Sequence, residues 1–351
     1  MNIKSLLLGS AAALVAVSGA RAADAIIAEP EPVEYVRVCD VYGSGFFYIP
    51  GTETCLRIGG EVRYQLGSDN SDEFSYGNHG FAGDTWTKHS RGRFFLDARS
   101  ETEWGTLRGF IRYDARRDIG AENSNLNKAF IELGGLKMGW EDSAFVFTPN
   151  AGAANYGSHS DSGLFYGYQQ RQLIQYNFSG GNGFFGTVSL EDDRQEDHDY
   201  MPDVVVKAGV NQAWGAVWAA VGYDSEVGGF DDDDDGDFGV VVGAHVNMPN
   251  SPGSSFRVLG FYSDEANAYS TGAEWSILGS YYHQFNPSIG ASVGAQYLND
   301  FHVDGGDGWV GELNVVWTPV KDFAVRTELV YQDFDNHDEV FSGFLRFSRF
   351  F

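Results

Sequence analysis

Beyond residue 55 the chain alternates between apolar and polar positions. In 56–66, Leu56, Ile58, Val62, Tyr64 and Leu66 stand apart from Arg57, Glu61, Arg63 and Gln65. A period of two puts the two sets on opposite faces of an extended strand, and no helical period competes with it. The pattern returns in 91–101, where Phe94, Leu96 and Ala98 oppose Arg91, Arg93, Asp97, Arg99 and Glu101. It returns again in 106–114, where Leu107, Ile111 and Tyr113 oppose Arg108, Arg112 and Asp114. Further segments near 126–134, 136–142, 171–179, 183–192, 202–211, 214–224, 237–247, 255–264, 272–285, 288–298, 308–318, 322–332 and 340–351 bring the number of predicted strands to sixteen.

The connections between these strands alternate in length. Short ones near 103–105, 134–135, 180–182, 212–213, 248–254, 286–287 and 318–321 take turns with long ones near 67–90, 115–125, 143–170, 193–201, 225–236, 265–271, 299–307 and 333–339. Short turns on one side and long loops on the other describe a transmembrane antiparallel barrel with both termini on the turn side, the periplasm. A soluble sandwich also alternates, but its outer face is polar. Here Trp309 and Trp317 mark the two ends of one apolar face, Phe323 and Tyr331 mark another, and Tyr281 lies near the end of a third, as aromatic girdles do at two membrane interfaces.

Composition and targeting agree with this. Residues 1–22 join a basic start at Lys4, an apolar stretch and the small-residue site Ala20-Arg21-Ala22, which predicts a cleaved secretory signal and a mature chain beginning at Ala23. No later run is long and apolar enough for a membrane helix. Without Lys4 and Arg21 the balance is 21 basic against 49 acidic residues, a net of −28, which argues against nucleic acid as a partner. Residues 23–55 form an N-terminal periplasmic segment ahead of a barrel over 56–351. It carries both cysteines, Cys39 and Cys55. In an oxidising compartment they are expected to pair, for about 3 kcal/mol; free thiols or a bond to another chain are the alternatives.

The last strand sets Phe341, Gly343, Leu345, Phe347, Arg349 and Phe351 against Ser342, Arg346 and Ser348, with Phe344 and Phe350 as exceptions on the polar face. An alternating strand that stops on an aromatic residue, Phe351, is similar to the signal read by the outer-membrane assembly machinery. Together with the start Met1–Ser10, the runs 34–40 and 48–57, and the ending Gly343-Phe344-Leu345-Arg346-Phe347, this makes the chain resemble the general porins of alphaproteobacteria, the Brucella and rhizobial group. The resemblance implies a sixteen-stranded antiparallel barrel, a homotrimer in outer-membrane lipid and lipopolysaccharide, and a third external loop folded inward. The third long connection, about 143–170, is also the longest, and its tip at 150–157 is built of small residues.

Inward-facing arginines cluster on the first three strands. Arg63, Arg93, Arg99, Arg108 and Arg112 are expected nearest mid-membrane, facing acids that the third loop brings at Glu141, Asp142 and Asp161. Such a constriction sets up a transverse field for hydrated solutes; in the plainer reading, the arginines pair with Glu61, Asp97, Glu101 and Glu132 along the wall. No metal and no cofactor is expected. The run Asp231–Asp235 lacks the spacing of a calcium loop and reads as a solvated loop. His79, His89, His159, His198, His302 and His337 fall in connections, and His245 and His283 are isolated. The expected activity is passive diffusion of small hydrophilic solutes, without catalysis. A sugar-type selective channel would need an aromatic ladder, and Phe95, Phe110, Phe130, Phe261, Tyr282 and Phe344 read as scattered inward aromatics. A barrel-embedded hydrolase would need a serine, histidine and acid at one rim, and no such trio appears. A structural anchor or adhesin remains the fourth reading.

Overall fold

The computed structural model describes residues 37–69, 86–118, 120–192, 201–225 and 236–351. The expected leader, His79, His198 and Asp231–Asp235 lie outside the described residues. A two-residue strand, β1 (Phe47–Tyr48), precedes β2 (Cys55–Asp69), β3 (Trp86–Thr102), β4 (Gly105–Asp118), β5 (Ala121–Leu133) and β6 (Leu136–Asp142). Then come β7 (Gln170–Ser179), β8 (Phe184–Glu191), β9 (Asp203–Gln212), β10 (Gly215–Asp224), β11 (Asp237–Asn247) and β12 (Ser255–Ser263). The chain closes with β13 (Ala273–Asn286), β14 (Ile289–Phe301), β15 (Gly308–Val320), β16 (Phe323–Phe334) and β17 (Val340–Phe350).

Each strand from β2 pairs antiparallel with the next, and β17 returns to β2 from Ser342↔Asp69 to Phe350↔Glu61. The sixteen strands β2–β17 therefore form a closed barrel with no free edge, the form in which sheet backbone can sit in hydrocarbon. Phe351 extends the seam by exchanging backbone hydrogen bonds with Gly60 at 2.9 and 3.1 Å. A side chain at Gly60 would collide with the Phe351 ring and the Arg93 carbonyl, so glycine is what lets the last residue close in.

Burial is inverted relative to a soluble protein. On β2, Val62 is 58% exposed while Glu61 is 5% exposed. The same inversion holds for Ile111 against Asp114 on β4, Ile174 against Gln175 on β7, and Val293 against Ser292 on β14. Apolar side chains thus face outward to lipid and polar ones inward, as the alternation predicts. Outward aromatics gather at the strand ends: Trp275, Tyr297 and Trp309 pack together at the loop end, with ring centroids 5.4 and 4.8 Å apart, and Trp317 stands exposed near the turn end.

One predicted connection is overturned. The long loop near 115–125 is a tight hairpin, in which Asp118 pairs with Ala121 and Gly120 takes a φ of +79°. Residues 122–125 are Glu, Asn, Ser and Asn, so this stretch shows no apolar face, yet its ladder continues to Arg117↔Glu122. Backbone pairing beyond the lipid needs no apolar face, and hydropathy alternation cannot report it. For the same reason β3 begins at Trp86, and His89 lies on a strand rather than in a connection. The cysteines form the expected intrachain disulfide, Cys39–Cys55, with Cα atoms 6.0 Å apart.

Candidate functional site

The inner face of β2–β5 carries the charged residues in register. On β3 and β4, Arg93 binds Asp114 through two contacts of 2.6 and 2.7 Å. Glu61 on β2 accepts from Arg63 at 2.9 Å and from Arg91 at 2.7 Å. Nearer the turn end, Asp97 is fully buried and receives Arg99 at 2.8 and 2.9 Å and Arg108 at 2.9 and 3.1 Å. Arg112 differs from these. Its partner is the Asn127 amide oxygen, and no carboxylate pairs with it among the described residues. Wall pairing along Glu61, Asp97 and Glu132 is therefore extensive, but Glu101 instead accepts from Tyr42 and Thr106.

The inner face of β8–β16 has another character. Phe185, Val205, Trp218, Val241, Leu259, Leu278, Leu298, Val310 and Val330 are buried there, in one cluster with Phe145, Val146, Ala151 and Ala154 of the 143–169 connection. Burying that apolar surface is what holds the connection against these strands. Polar contacts then fix its position. Arg257 donates to the backbone oxygens of Ala153 at 2.8 Å, Asn155 at 3.1 Å and Gly157. Glu328 accepts the backbone N–H groups of Asp161 and Ser162 at 2.9 and 3.0 Å, Gln296 exchanges bonds with the Phe165 backbone, and Arg346 meets Asp161 at 2.6 Å.

Burial opposes ionisation of Asp161, but Arg346 and Arg326 outweigh it and hold the carboxyl at about 2. The same connection places His159 between Ser280 at 2.7 Å and Ser255 at 2.9 Å. Burial, with Arg257 adding to it, takes that imidazole down to about 3, so it bridges the two hydroxyls as a neutral ring. His245 is not isolated: its ring lies 5.6 Å from that of His159.

Between the connection and the β2–β5 wall lies a cavity of about 860 Å³. Of the residues expected at the constriction, Arg63, Arg93, Arg112, Asp142 and Asp161 line it, and Arg99, Arg108 and Glu141 do not. Glu141 and Asp142 belong to the end of β6, not to the loop, and both bind Lys128, Asp142 at 2.6 Å. Sequence reasoning did not single out Arg116, Arg257, Arg326, Arg346, Tyr156, Tyr166 and Tyr168, which also line the cavity. The arginines among them on late strands carried the same inward-alternation signal as the early ones; the tyrosines carried none. With Arg91 included, eight guanidinium groups and three aspartates line it; behind the lining Glu61 pairs with Arg63 and Arg91, Asp118 with Arg116 and Glu328 with Arg326, so the arginines still outnumber these acids inside a strongly acidic chain.

A closed barrel, lipid-facing outside and charged within, defines the class of outer-membrane channel proteins. Residues 24–344 match the porin subfamily, and the chain belongs to that family. It is 37% identical over 389 aligned residues to porin Omp2b of Brucella suis biovar 1 (strain 1330), covering 100% of each chain, which bears out the alphaproteobacterial resemblance. The fold is shared with the outer membrane channel DcaP of Acinetobacter baumannii, at a TM-score of 0.70 and 15% identity over 87% of this chain and 99% of that one. It is shared as well with OmpT of Vibrio cholerae in its trimer form, at a TM-score of 0.56 and 11% identity over 86% of this chain and 100% of that one. The protein is an outer-membrane porin.

Proposed function

We propose that this porin is a general diffusion channel in which the 143–169 connection narrows the lumen, leaving an opening bounded by the arginines of β2–β4. Small hydrophilic solutes pass, with anions favoured. One observation carries this reading: eight arginines line a single cavity, where they outnumber the carboxylates on and directly behind its lining. Fixed charge in a narrow passage raises the local concentration of counter-ions. Arg63, Arg93 and Arg112 supply that charge directly. Arg99 and Arg108 support the wall from the turn end through Asp97.

The trimeric form of the Vibrio cholerae protein supports a homotrimer here. Export through cleavage after Ala22, periplasmic termini and recognition of Phe351 by the assembly machinery complete the reading. Contact with lipid and lipopolysaccharide follows from the exposed apolar face. Liposome swelling tests it. A graded series of neutral sugars should enter at rates that fall with size alone, and discrimination between sugars of equal size would contradict a general channel.

A further inference from the structure

The inward aromatics that read as scattered are in part a continuous file. Phe95, Phe110 and Phe130 stand on the inner face of three adjacent strands, β3, β4 and β5. Their rings stack in sequence, with centroids 5.9 Å and then 5.1 Å apart and interplanar angles of 22° and 21°. Arg108 lies over Phe110 and Phe130 at 5.0 and 5.1 Å, and Arg57 lies over Phe95 at 5.2 Å, bracing the rings from the turn end. Phe95 and Phe110 remain half-buried, so the file is not sealed.

One step toward the loop end, Arg112 is the direct cross-strand partner of Phe95 and sits two residues from Phe110 on the same strand. Two residues of strand span about 7 Å, the reach of a carboxylate held on a short arm from an aromatic ring. Arg93, its neighbour, is held by Asp114 through Nε and Nη2, whereas Arg112 makes no close ion pair among the described residues, Asp142 and Asp114 acting on it only from farther off, and it lines the cavity.

We infer that Arg112, Phe95 and Phe110 form a binding site for organic anions that carry an aryl ring. The carboxylate is received by the Arg112 guanidinium and the ring stacks on the Phe95–Phe110 file. The inference rests on the lumen being the solute path and adds a solute class to it.

The test is block of chloride current through the purified trimer in a planar bilayer, comparing 3-phenylpropionate with 3-cyclohexylpropionate. The two acids share charge and chain length and differ in the π face. The half-blocking concentration should be about two- to tenfold lower for the phenyl acid. Phe95→Leu/Phe110→Leu keeps apolar bulk and should bring the two acids together, and Arg112→Gln should weaken block by both. If the double variant fails to assemble, Phe110→Leu alone should narrow the gap. Equal block by the two acids in the unaltered protein, or a difference that survives loss of the rings, overturns the aryl site while leaving the channel in place. Absence of any ohmic current overturns the channel itself, and the site with it.

Discussion

Arg93 and Arg112 face the same cavity from neighbouring strands, yet they differ in what they hold. Arg93 neutralises Asp114, which is 7% exposed, while Arg112 leans on an amide. Replacing Arg112 by glutamine removes a charge and strands no acid. The chloride-to-potassium permeability ratio, read from reversal potentials at 0.1 M salt, should fall about twofold and recover at 1 M, where screening shrinks to about 3 Å. Heat dissociation of the proposed trimer should stay unchanged. Arg93→Gln should lower the ratio as well, but leaves the buried Asp114 with only the 3.7 Å contact to Arg91, at a cost of about 1–3 kcal/mol, so dissociation should also begin at lower temperature. A selectivity that ignores both changes would remove the cationic filter. Alternation along the sequence told which arginines point inward. It could not tell which are spoken for, because Asp97 gathers Arg57, Arg99 and Arg108 from three strands and only register brings them together.

At the scale of elements, the 143–169 connection was legible as the longest one and, from the small residues at its tip, as able to pack within a lumen. Its seat was not legible. Runs such as Ala219-Ala220-Val221 and Val240-Val241-Val242 break the apolar–polar rhythm because the inner face there is apolar too and is covered by the connection. Read alone, such runs look like strands whose two faces cannot be told apart. Trp218, 5% exposed, belongs to that covered face. Trp218→Ala should cost about 3–5 kcal/mol of packing and loosen the connection. The expected result is a noisier and larger single-channel current, and an unchanged record would mean the connection is held by its polar contacts alone. Near the N-terminus, Cys39–Cys55 fastens 39–48 to the start of β2, with Phe46 buried beside Arg57 and Arg99. Cys39→Ser/Cys55→Ser should lower stability by about 3 kcal/mol, seen as heat dissociation at a lower temperature than in the unaltered chain. Identical dissociation curves would mean that the segment is held without the bond.

The whole molecule joins a lipid-facing outside, a closed seam at Phe351 and a lumen divided between a charged wall and a covered apolar one. Strand number, closure and the disulfide were legible because each follows from alternation or from two cysteines in an exported segment. The hairpin that pairs Asp118 with Ala121 and the aromatic file were not, since one depends on pairing outside the lipid and the other on lateral stacking between strands. The connection offers a direct way to test the channel as a unit. Val146 accepts a hydrogen bond from the Tyr156 backbone at 2.9 Å, so residues 147–155 can be replaced by two glycines without separating their flanks. Single-channel recording of the purified protein, with and without this excision, is the decisive measurement. Ohmic current appearing in groups of three equal steps, each step larger once the tip is removed, is the expected result. No ohmic current, or steps of the same size in both proteins, would contradict a porin constricted by this connection.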